Sequence, residues 1–153
     1  MRNYLKNNQG ITLVELIAAL ALVSLVAVLI MTTLGIGFKH SIAEANKTST
    51  QQEANLIVSK LLNDHRKGDC YFIKQGGSPN NYKIMAAPTQ CTSQTEPTTG
   101  FKDISSSGYN VTLTSASKMI NPTKEDYTLV AKVSYKNANY EINTKLTRYK
   151  TTN

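Results

Sequence analysis

The 153-residue chain has no tryptophan, two histidines, two cysteines and four prolines. Each scarcity removes a class of function. The cysteines, Cys70 and Cys91, form no CxxC pair and no His/Cys cluster of zinc-ligand spacing. His40 and His65 stand apart from each other and from any second ligand, so no metal site is expected. There is no phosphate-cradling glycine loop, no nucleophile set beside a base, and no cluster of acids. Glu125 and Asp126 are adjacent, and on a strand they would point to opposite faces. The chain is therefore not expected to be an enzyme or to need a cofactor. Acids are also few, ten against seventeen Lys and Arg, for a net charge of +7. The basic residues are scattered rather than run together, which fits a solvated surface better than a dedicated nucleic-acid site. Arg2 and Lys6 carry two of the seven charges, so a chain beginning at Ile11 would keep +5.

Charge is missing most conspicuously from Leu16 to Phe38, a run of 23 residues with no charged side chain and no proline. As a helix it would be about 35 Å long, enough to span a hydrocarbon core of roughly 30 Å. Gly35 and Gly37 near its far end could loosen it. Arg2 and Lys6 precede it, which by the positive-inside rule puts the leader in the cytoplasm and the rest outside. A secretory signal peptide fits poorly, because its apolar region runs to only about 7–15 residues. A plain single-pass anchor fits the length but leaves two features unexplained: the abrupt Gly10 and the acid Glu15 at the edge of the run. An acid within a membrane costs about 2.5–3.5 kcal/mol at the helix centre and less near an end, and usually has a partner. Glu15 lies four residues past Ile11, about 6 Å along a helix. Cleavage after Gly10 would create an α-amino group at Ile11, able to pair with the carboxylate of its own chain or of a packed neighbour.

The stretch Gly10-Ile11-Thr12-Leu13-Val14-Glu15-Leu16, after a short basic leader and before a long apolar helix, resembles the prepilin cleavage motif of type IV pilins and the related pseudopilins. The usual motif is a glycine followed by F-T-L-[IV]-E; this chain departs from it only in having Ile11 where Phe is common. The resemblance covers residues 1 to about 66 well and the remainder in general architecture. It implies that a membrane prepilin peptidase cuts between Gly10 and Ile11 on the cytoplasmic face and often methylates the new amino terminus at Ile11. It also implies that Thr12, Leu13, Val14, Glu15 and Leu16 serve assembly, Glu15 neutralising the amino terminus of an adjacent subunit and setting axial register. Many members carry a helix-kinking proline where this chain has Thr32, so no kink is expected there.

The remaining 115 or so residues read as an α+β head. The helix should continue over 39–67. Ala54, Ile57, Val58, Leu61 and Leu62 make one apolar stripe at helical spacing. The basic residues His65-Arg66-Lys67 and then Gly68 suit a C-terminus. An antiparallel sheet should occupy 69–150, with short strands at 71–73 and 82–85 around a turn-rich 76–81, and another at 109–114. Residues 89–100 read as an exposed loop and 119–124 as a connection. The clearest strand signal is the alternation from Tyr127 to Tyr135 and from Tyr140 to Leu146 around a turn at Asn137-Ala138-Asn139. The apolar face of that hairpin should pack on the helix stripe. Cys70 and Cys91 bracket the first hairpin, and on the exported side they can form a disulfide. Many pilins fence a loop near the C-terminus with a disulfide instead, so no receptor-binding loop carries over. Asn110-Val111-Thr112 matches a glycosylation triplet of the kind that arises by chance. The eight tyrosines are expected mostly as strand residues.

The expected layout is thus a leader (1–10), a transmembrane assembly helix (11–38) and an extracytoplasmic head (39–153). The expected function is a structural subunit, leaning to a minor one, of a type IV pilus or related pseudopilus. It would sit in the cytoplasmic membrane before assembly and in a cell-surface filament after it. Expected partners are other pilin subunits, the prepilin peptidase and the assembly platform of the membrane. The alternatives are a membrane-anchored surface binding domain that never polymerises and a competence pseudopilin that aids uptake of DNA.

Overall fold

The computed structural model describes residues 12–92 and 95–148. The chain divides into two units, residues 1–41 and 42–153. One helix, α1 (Leu13–Lys67), runs through both, followed by β1 (Tyr71–Ser78), β2 (Asn81–Pro88), β3 (Lys102–Asp103), β4 (Asn110–Leu113), β5 (Lys118–Ile120), β6 (Tyr127–Tyr135) and β7 (Ala138–Leu146). This is the α+β layout of a pilin.

In the first unit, every described residue is exposed. The helix there is made of good formers with β-branched residues interspersed, and it satisfies its own polar groups. Ser24 donates to the Ala21 carbonyl, Thr32 to Val28 and Leu29, and Thr33 to Leu29 and Ile30. In an apolar medium such back-bonding removes the penalty of an unpartnered hydroxyl. Neither Gly35 nor Gly37 interrupts the helix.

In the second unit, α1 turns amphipathic. Ala54, Ile57 and Leu61 are fully buried, with Val58 and Leu62 packed at the flank. Against them lie two antiparallel sheets, ordered β3-β2-β1-β5 and β4-β6-β7. Ile73, Ile84 and Ile120 come from the first, and Val111, Leu129, Val133, Ile142 and Leu146 from the second. Period-two alternation is visible in β6, where Tyr127, Leu129, Ala131 and Val133 are buried and Thr128 and Lys132 exposed. The helix stops at Lys67, and Gly68 takes φ +87, a left-handed cap that a side chain would strain. Two helix side chains hold the loop before β4: Glu53 accepts from the Ser106 amide (2.6 Å) and Lys60 donates to the Ile104 carbonyl (2.8 Å).

Four details differ from the sequence reading. The stretch 119–124 is not all connection, because β5 pairs Lys118–Ile120 with Tyr71–Ile73 and fully buries Ile120. β3 has no alternation to announce it and exists because Met85 and Ala86 offer it an edge. The β1–β2 ladder runs through both glycines to Ser78↔Asn81, so the turn shrinks to Pro79-Asn80 with Asn80 at φ 68. The last turn is Lys136-Asn137, not 137–139, with Lys136 at φ 50; a two-residue turn of this hand matches strand twist.

Candidate processing and assembly site

Gly10 and Ile11, the expected cleavage and methylation residues, lie outside the described residues. The site is visible from Thr12 onward. Thr12 stands at the N-cap of α1, and the first intrahelical bond runs from Leu16 N–H to its carbonyl (3.1 Å). The Thr12 hydroxyl accepts from the Glu15 amide (3.2 Å), while the Thr12 amide donates back to Glu15 Oε2 (3.1 Å). The hydroxyl also lies 3.2 Å from the same Oε2. This reciprocal pair is a capping box, which satisfies two amides the helix leaves without partners. The acid also faces the positive end of the helix dipole.

The sequence reading pairs Glu15 with an Ile11 amino group, of its own chain or of a neighbour, and does not include Thr12 as a partner. The signal was present: Thr-x-x-Glu directly before an apolar run is the capping-box pattern. Cleavage between Gly10 and Ile11 would leave the Thr12 amide intact, so the box is compatible with the processed chain. Leu13 and Val14, about three-quarters exposed, and Leu16 stand around Glu15 with nothing covering them.

Residues 5–31 match the family model of the prokaryotic N-terminal methylation motif. The N-terminal segment is a class III signal sequence of the type IV pilin and pseudopilin kind. No curated protein and no solved structure matches the chain. The matched residues include the start of α1, a helix long and apolar enough to cross a membrane, and the match supports a pilin or pseudopilin precursor.

The head carries the other residues singled out. Cys70 and Cys91 are joined, with Cα atoms 5.2 Å apart, tying the start of β1 to the loop after β2. The Thr89 amide donates to the Cys70 carbonyl beside the bond (2.9 Å). Asn110 accepts from the Tyr82 amide through Oδ1 (2.8 Å) and is half-buried, so its side chain is already committed to the fold. Glu125 and Asp126 pair with different lysines, Lys118 and Lys145. Lys67, Lys74 and Lys83 likewise hold Asp64, Glu96 and Asp103, which breaks up the basic surface into separate ion pairs. Tyr71 and Tyr127 are buried, and burial raises both phenols above their usual range. Tyr109 and Tyr135 pack ring on ring at 4.9 Å.

His65 was expected as part of a basic helix end. Instead it is fully buried at the distal end of the core. Its Nδ1 lies 3.2 Å from the Tyr71 hydroxyl, and its Nε2 has no hydrogen-bond partner. Burial lowers its pKa, and Arg148 adds to that, against the opposing pull of Asp126 and Glu125.

Proposed function

We propose that the protein is a minor subunit of a type IV pilus or related pseudopilus. In this reading the peptidase cuts after Gly10 on the cytoplasmic face and methylates Ile11. The helix then anchors the chain with its amino terminus inside and its head outside. Assembly moves residues 11–38 from lipid into contact with other subunits, and Glu15 neutralises the amino terminus of a neighbour. Thr12, Leu13, Val14 and Leu16 shape the surface presented around that pair. The observation that carries the reading is the methylation motif over residues 5–31, which takes in the start of a 55-residue helix whose described residues up to Ser41 are all exposed. The lean toward a minor subunit rests on Thr32, which leaves the helix without a proline, and on the loops elaborated between β2 and β6.

Magnitudes support a second partner for Glu15 beyond the capping box. An N-cap interaction contributes about 1 kcal/mol. An acid inside a membrane costs up to about 2.5–3.5 kcal/mol. The local bonds offset only part of that, and a neighbour's amino group supplies the remainder. The test is the intact mass and N-terminal peptide of the protein in a sheared cell-surface fraction. A chain starting at Ile11, with or without one added methyl, supports the reading. A chain still starting at Met1 and confined to the membrane refutes it.

A further inference from the structure

β7 is the open edge of its sheet. Among the described residues its nine-residue ladder is paired only with β6. Natural sheets guard such edges with short strands, prolines, bulges, or charged side chains on the edge or turned inward. Of these β7 has only two edge charges, Glu141 and Lys145. It has no proline, keeps an unbroken register with β6, and turns both charges to solvent.

The outward groups of this edge can be assigned. The turn Lys136-Asn137 closes the hairpin on Tyr135↔Ala138. In a two-residue hairpin the closing pair is hydrogen-bonded, and pair types then alternate along the ladder. Even-numbered residues of β7 therefore bond to β6, and Asn139, Glu141, Asn143 and Lys145 aim their amides and carbonyls outward. An independent bond agrees: Val130, opposite Asn143, gives its carbonyl to the Thr114 amide on the other side (2.8 Å).

We propose that β7 docks edge to edge on the β7 of a second copy of this chain, antiparallel, about a two-fold axis at Asn143. The occupant is chosen by charge. With the axis at Asn143, Glu141 of each copy stands opposite Lys145 of the other, twice by symmetry. The outward groups of Glu141, Asn143 and Lys145 then make about six main-chain hydrogen bonds. Moving the axis by one residue puts Glu141 opposite Asn143 or Thr147 and loses both charge pairs. The two charges that would repel a foreign strand of like pattern thus complement this strand when it is reversed. Lys145, now within 3.0 Å of Asp126, would sit between two acids.

The axis reverses β7 between copies. β6 begins near His65 of α1 and ends at Tyr135, whose ring packs on Tyr109, the partner of Ser49. The strand therefore runs along the head's part of the helix, and the two heads point in opposite directions. Subunits of one filament share a direction. On the filament reading, then, this contact joins separate antiparallel filaments rather than neighbours within one. The contact itself does not depend on that reading.

The test uses the full-length chain, cleaved or not, in mild detergent with Asn143→Cys, a short bis-maleimide cross-linker and, as control, a cysteine at exposed Lys102 of the other sheet. Asn143→Cys should give a species of twice the chain mass, and the control should not. Glu141→Lys should cut the cross-linked yield about tenfold, and Glu141→Lys with Lys145→Glu should restore it to within about twofold. Far-ultraviolet dichroism checks that each variant is folded. Three results would overturn the proposal: cross-linking at Asn143→Cys no greater than at the control, a product of another mass, or no rescue by the charge swap. An unprocessed, membrane-confined chain in cells would refute the filament reading and leave this assay unchanged.

Discussion

Replacing Glu15 by glutamine separates the two roles the acid can have. In the capping box Glu15 accepts from the Thr12 amide at 3.1 Å, and glutamine can accept the same bond. Glutamine cannot neutralise an amino group. A pair of unit charges about 4 Å apart is worth about 1 kcal/mol in water and about 4 kcal/mol at an effective dielectric of 20, that is, about fivefold to about a thousandfold in an equilibrium. Thr12→Val removes the hydroxyl that accepts from the Glu15 amide and leaves the carboxylate charged. Its loss is that of an N-cap, about 1 kcal/mol or about fivefold. Pairing between subunits therefore predicts that Glu15→Gln and Glu15→Ala are both strongly depleted from filaments. Thr12→Val should be mildly depleted and Thr12→Ser near normal. Cleavage after Gly10 should persist in all of them. The assay is the ratio of each variant in sheared filaments to its processed form in the membrane, which cancels differences in insertion. Normal incorporation of Glu15→Gln would refute the pairing account, and together with depletion of Thr12→Val it would assign the role to the cap alone.

Three further outcomes concern the head. His65 has a folded pKa below 6.5, so the stability it confers is complete above about pH 6.5 and is lost as pH falls through the window beneath that value. The melting temperature of the full chain should drop across that window, and His65→Phe should flatten the drop; equal pH profiles would show that His65 is not its source. At Gly77 (φ +93) an added Cβ would lie 2.2 Å from the Asn81 carbonyl oxygen, so Gly77→Ala should destabilise by at least about 1–3 kcal/mol, read as a lower denaturation midpoint. Gly76→Ala would meet only the movable Met85 side chain and should cost less. Breaking Cys70–Cys91, which closes a separation of 21 residues, should cost about 3 kcal/mol in the chain-entropy view, measured by comparing denaturation with and without reductant.

Much of the fold is legible because its signals are periodic. The stripe Ala54–Leu62 and the alternation in β6 report one-sided burial directly, while β7 buries Ile142 and Leu146 but leaves Tyr140, the first residue of its expected apolar face, exposed. What escaped is set by contacts distant in sequence. β3 and β5 are two and three residues long, too short for any period, and exist only because β2 and β1 present edges to them. His65 reads as a cationic helix end from its neighbours Arg66 and Lys67, and only the positions of Tyr71 and β6 make it a neutral core residue. At the processing site the order of legibility reverses. Glu15 stands out in sequence because a charge beside an apolar run has to be explained, and the family pattern supplies an explanation between chains. The nearer explanation, Thr12 three residues away, needs only local helix chemistry.

The magnitudes also limit what Glu15 can decide. Seventeen large apolar side chains between Leu13 and Ile42 are exposed in the lone chain. At about 1.5–3 kcal/mol for each one fully covered, their removal from water is worth on the order of 25–50 kcal/mol. The charge costs about 3 kcal/mol at most, close to a tenth of that. Glu15 therefore cannot keep the helix out of lipid, and its loss cannot by itself drive the helix in. Lipid tails and the helices of other subunits both cover apolar surface, so in the proposed assembly that large quantity nearly cancels as the helix passes from one to the other. What remains is the few kilocalories of the charge and its partner. An apolar helix can slide along its neighbours with little change in contact area, but a carboxylate can meet an amino group at only one offset. On the proposed pairing between subunits, a side chain too weak to govern insertion is thus strong enough to govern register.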